Sequence, residues 1–183
     1  MKNDLTQKFS KGTIIIHWLT TLLILLLFPL GKYISDINPS DKIGLIKAIL
    51  INRCGIKNIH AILGIIVFIL TMFRSWQFFK AQRPSHLKTG SKFNDKLAVY
   101  VHNAFYFLLF GISLSGIAVM IIGGYGNAIT SGNLDLIQDR ENIIPLKAHN
   151  ILAVIMMILL VIHVVGVIKH YILLKENTLK RII

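Results

Sequence analysis

The stretch KAHNILAVIMMILLVIHVVGVIKHYILLK, residues 147–175, decides how the rest of the chain is read. From Ala148 to Leu174 it is dominated by Ile, Leu, Val and Met, and it exceeds the roughly 20 apolar residues a helix needs to cross a bilayer. Ahead of the basic pair Lys169 and His170 near its end, two histidines interrupt it, His149 and His163. They are 14 residues apart, which is two heptads, so both fall on one helical face. At 1.5 Å rise per residue they stand ~21 Å apart along the axis, so one helix offers an imidazole near each membrane surface. A histidine at such depth is costly unless it faces a partner, a cavity or a metal.

Three further apolar segments precede it, at about residues 14–30, 59–79 and 97–122. With 148–174 they predict an all-α membrane protein, a bundle of four transmembrane helices forming one domain over residues 1–183. A content of 54% hydrophobic and only 15% charged residues excludes an ordinary soluble domain. The net charge of +12 does not read as a nucleic-acid surface, because the basic residues sit in blocks between apolar runs, where they suit membrane lipid. The single cysteine, Cys54, can form no internal disulfide and no cysteine-built zinc or iron–sulfur site. Lys2, Lys8 and Lys11 before the first apolar run imitate a signal peptide, but no small-residue cleavage site follows. Phe28, Pro29, Leu30, Gly31 and Lys32 read as a helix end, so the segment is kept as a span.

Thirteen of the 20 lysines and arginines flank the N-terminus, the connection between the second and third segments, and the C-terminus; seven lie in the other two loops. The positive-inside rule therefore places both termini in the cytoplasm. Arg74 falls near the end of the second segment and reads as a snorkelling edge residue. Residues Ile43–Ile51 of the first outer loop suggest a short interfacial helix. The second outer loop opens with Gly123, Gly124, Tyr125 and Gly126 and runs polar to Pro145, as a flexible cap over the bundle would.

Each histidine of the last segment finds a counterpart at matching depth. His60 opens the second segment three residues after Lys57, on the side where His149 follows Lys147; His17 lies six residues after Lys11, and His163 six before Lys169. The pairs His60/His149 (outer) and His17/His163 (inner) form two bis-histidine levels, the arrangement that six-coordinate haem iron requires inside a helix bundle. A zinc or proton-relay site would not need two levels on one helical face. Gly64 and Gly166, each about one turn beyond a histidine, either let a flat macrocycle approach or serve helix packing. His86 and His170 read as surface residues. His102 is open between a helix-packing hydrogen bond and a place in a quinone or haem-propionate pocket.

Ile16-His17-Trp18-Leu19, Asn58-Ile59-His60 with Gly64, Lys147-Ala148-His149 with Ile162-His163, and the closing His170-Tyr171 to Lys175-Glu176-Asn177-Thr178-Leu179-Lys180-Arg181 together resemble the bacterial cytochrome b561 family over nearly the whole chain. The resemblance implies an inner-membrane cytochrome with two b haems, the four histidines as axial ligands, ubiquinone as electron acceptor and superoxide as a periplasmic donor. That would make the protein a superoxide:ubiquinone oxidoreductase. The alternative is a cytochrome b anchor that relays electrons between a partner dehydrogenase or hydrogenase and quinone. Arg53, Lys57 and Lys147 flank the outer pair and either draw in an anion such as superoxide or anchor helix ends and propionates. Trp18, Trp76 and Tyr100 either line a quinone pocket or anchor the interface. The chain departs from the family in a longer, more basic first outer loop and a Gly-rich start to the second.

Overall fold

A computed structural model describes residues 8–36, 53–80, 91–131, 133, 136–173 and 181–182. Four long helices run through them: α1 (Lys11–Asp36), α2 (Arg53–Lys80), α3 (Lys92–Ile122) and α5 (Ile144–Leu173). A short helix α4 (Tyr125–Ser131) and a 3-10 turn (Arg140–Asn142) lie between α3 and α5. All four long helices have a span long and apolar enough to cross a membrane, at Lys11–Asp36, Gly55–Gln77, Lys92–Ile122 and Ile144–Lys169. Their outward faces agree, since Leu22, Ile62, Phe107 and Ile151 are all exposed, as side chains facing lipid should be.

Local chemistry sets the ends. Ser10 accepts a hydrogen bond from the Thr13 amide at the start of α1, and Ser91 accepts one from the Asn94 amide at the start of α3. Inside the spans Thr21 and Thr71 return their hydroxyls to the carbonyls of His17 and Val67, so neither leaves an unpaired donor in the apolar interior. Two boundaries differ from the sequence expectation. α1 does not stop at Pro29 but continues through it to Asp36, because in hydrocarbon an unwound turn would leave several backbone groups unsatisfied, more than the one lost at proline. α5 starts at Ile144, four residues early, with Pro145 in its first turn, where the missing N–H has no helical partner to lose.

The connection between α3 and α5 is also more built than a flexible cap. Gly124 takes φ +76, and a Cβ there would collide with the Leu136 carbonyl, so the turn requires glycine. The Gln138 amide bonds the Gly123 carbonyl at 3.1 Å, and Ile143, 0% exposed, is sealed beneath the turn. The expected interfacial helix at 43–51 lies outside the described residues.

Packing is uneven. The most extensive seam joins α3 and α5; α1 packs on α2 and α2 on α3, while no comparable seam joins α5 to α1 or α2 among the described residues. Val67, Leu109 and Met156 form a small apolar plug, ringed by Leu23, Ile24, Leu27, Phe105, Leu108 and Ile112. Met156 is seven residues from both His149 and His163, so the plug divides the two histidine levels. At one end of the bundle the chain closes on itself. The Phe9 amide bonds the Arg181 carbonyl, the Trp18 indole bonds the Ile182 carbonyl at 2.9 Å, and Arg181, 6% exposed, lies over the Phe9 ring.

Candidate haem sites

The outer level is formed by α2 and α5. His60 and His149 face each other with ring centres 6.1 Å apart and planes at 76°. The His149 Nδ1–H donates to the Ile112 carbonyl of α3 at 3.0 Å, with the Ser115 hydroxyl oxygen 3.2 Å away; Ser115 itself donates to Ile112 O at 2.9 Å. A carbonyl can only accept, so Nδ1 carries the proton and the Nε2 lone pair of His149 is left for a metal. Glycines make the room. A Cβ on Gly116 would stand 3.2 Å from His149 Cε1, and one on Gly31 3.1 Å from His60 Cε1. In the sequence Gly31 stood out only as part of a helix end and Gly116 not at all; Gly64 and Gly166, which were read as room for a macrocycle or for helix packing, have nothing among the described residues within 4 Å of where a Cβ would lie.

The inner level is a looser cluster drawn from all four long helices. His17 lies within electrostatic range of Arg74, His163 and His102. Among the described residues the ring partner of His17 is Trp18, while His163 packs edge-on against His102 (5.3 Å) and Phe105 (5.4 Å). Arg74, the expected edge residue, lies three residues before the end of the Gly55–Gln77 span. Its guanidinium lies over the Tyr106 ring at 5.6 Å, a cation–π contact, and within electrostatic range of both inner histidines.

Whether these residues suit haem can be tested on the donors themselves. A separation of 6.1 Å matches two ring radii plus two metal–nitrogen bonds of ~2.0 Å. Among the described residues the buried Nδ1 atoms of His17 and His60 have no hydrogen-bond partner, a state that native interiors rarely leave uncompensated. Both proposed pairs also straddle the boundary between α5 and the α1–α2 pair, where helix packing is slack. The donor set fits.

The outer cations are placed separately. Lys57 lies over the Tyr125 ring of α4 at 4.9 Å, and Lys147 is exposed at the start of α5. The side chains of Arg53, Cys54 and His170 lie outside the described residues, as do His86 and residues 174–180 of the closing segment. Trp76 and Tyr100 are exposed, as interface anchors are. Trp18 is spoken for by its bond to Ile182.

A four-helix bundle with imidazoles gathered at two levels of its interior defines a multi-pass membrane protein of the electron-transfer class. Residues 8–183 match the family described as prokaryotic cytochrome b561, and the chain belongs to that family: it is a bacterial membrane b-type cytochrome. No curated protein matches the chain.

Proposed function

We propose that the protein passes electrons from a periplasmic donor, superoxide being the favoured one, to ubiquinone, with His60 and His149 holding an outer b haem and His17 and His163 an inner one. When bound, b haem supplies a one-electron centre whose potential follows its axial ligands, burial and neighbouring charge. The chain does the rest. Ile112 and Ser115 fix the tautomer and direction of His149, so its Nε2 is presented without a search. Arg74 contributes a fixed positive charge beside the inner pair. Lys57 and Lys147 at the outer end raise the local concentration of an anionic donor, an effect that weakens with salt. The count of basic flanks supports an orientation with both termini in the cytoplasm and the His60/His149 level toward the periplasm.

The single observation that carries this reading is the convergence of His60 and His149 with one ring already held by backbone. A reduced-minus-oxidised spectrum with haem quantitation tests it: two haems per wild-type chain, with His149→Ala and His163→Ala each losing a different one. A colourless preparation would end the proposal. The donor is tested separately, by quinone reduction with and without a superoxide source; equal rates would remove superoxide and leave the cytochrome.

A further inference from the structure

The hydroxyls of the spans behave in two ways. Thr21 and Thr71 each return theirs to a carbonyl one turn back, but the Ser75 Oγ is buried and has no hydrogen-bond partner among the described residues. Its neighbour Arg74 is in a similar condition. The guanidinium meets the Tyr106 ring at 5.6 Å, and among the described residues it has neither a carboxylate nor a hydrogen-bond acceptor. A charged side chain within a span normally pairs with an opposite charge or with carbonyls.

Register puts both residues beside the inner pair. The Thr13 hydroxyl donates to Gln77 Oε1 at 3.3 Å, and toward the other end of the same seam Gly31 lies against His60, so α1 and α2 run antiparallel with nearly one offset throughout. Arg74 and Ser75 then stand level with the turn of α1 that carries His17. Every ionisable group acting on the inner histidines is basic: Arg74, His163 and His102 act on His17, and His102 and Arg74 on His163. What this end of the bundle lacks, among the described residues, is an anion with oxygen acceptors.

We propose that Arg74 holds a propionate of the inner haem through paired N–H···O bonds, with the Ser75 hydroxyl as a further donor. The proposal rests on His17 and His163 being the ligands of that haem. A guanidinium fork matches a carboxylate with two parallel bonds, which a lysine cannot do. The charges also suit burial, because a ferric porphyrin core together with one guanidinium balances two propionates. Two axial imidazoles leave the macrocycle free to rotate about the line that joins them; a seated propionate fixes that rotation.

Redox-difference infrared spectra of purified holoprotein, its haem isotopically labelled at the propionate carboxyl carbons, test this. Label-sensitive carboxylate bands belong to haem, and His149→Ala, which drops the outer haem, identifies the inner set. Arg74→Gln should shift inner bands and leave the outer ones in place. Arg74→Lys keeps the charge without the fork, so the inner bands should shift while the inner potential stays within a tenfold change, about 59 mV, of wild type. Ser75→Ala should shift the same bands by less. Inner bands that stay unmoved in Arg74→Gln and Arg74→Lys overturn the proposal. In that event, loss of bound phospholipid in Arg74→Gln would assign the guanidinium to a lipid headgroup. A raised inner potential in Glu176→Gln would assign it instead to that carboxylate, which lies outside the described residues. If His163→Ala loses no haem, the ligand assignment itself fails, and that failure is read from the haem count alone.

Discussion

The two histidine levels of this cytochrome are built differently. The outer one is already assembled: two rings converge, one is tied to backbone, and glycines on α1 and α3 leave them room. The inner one is a cluster in which three histidines and an arginine share a neighbourhood, with His163 turned toward α3. The contrast teaches that equal spacing along α5 does not make equal sites. The outer level is defined by contacts and clearances that any shift would break, the inner one by charge and by ring packing that can adjust.

The strongest way to break that comparison is at the glycines. Gly116→Ala places a methyl 3.2 Å from His149 Cε1, so the ring must shift by a few tenths of an ångström against its bond to Ile112, and outer-haem affinity should fall 10–100-fold, as measured by haem per chain on titration. Gly31→Ala presses on His60, whose Nδ1 has no bond to lose, and should cost clearly less. Equal losses in the two variants would show that clearance, and not the held tautomer, governs the outer level. Arg74→Gln comes next. Removing a cation near His17 and His163 favours the oxidised, more positive haem, so the inner potential should fall by about 59 mV for a tenfold change while the outer stays put. A shift at both levels would mean that the apolar plug does not isolate them. The smallest effect is expected from Trp18→Phe, which deletes the indole bond to Ile182 and should cost about 0.5–1.5 kcal/mol, seen as a lowered melting temperature and faster proteolysis of the C-terminal end. If haem content fell instead, the contact between chain ends would belong to the inner site.

Much of the architecture was legible because lipid imposes a coarse rule: apolar runs of sufficient length must be helices, and four runs make four helices. That His60 and His149 approach each other was equally legible, since depth can be counted from flanking lysines and 14 residues return a helix to the same face. The errors lie where local signals compete with that environment. Pro29 reads as a stop by propensity, yet the spanning helix carries through it, and the Gly123–Gly126 run reads as slack although Gly124 marks a tight, sealed turn. Arg74 reads correctly as a residue near the end of a span, but sequence distance from that end did not show its contact with Tyr106.

By itself, then, the sequence determined the number of spans, the two depths at which imidazoles occur and the helices that bear them, because these follow from hydrophobicity and helical period. Only the tertiary structure decided that α3 is the helix that holds the histidines of α5, that Gly31 and Gly116 matter to the rings, and that Trp18 serves the C-terminal end. Those depend on which faces of separate helices meet and at what register, and an antiparallel pair can slide by a turn without changing the apolar pattern of either strand of sequence. Packing, not periodicity, selects the register, and the register selects what each imidazole touches.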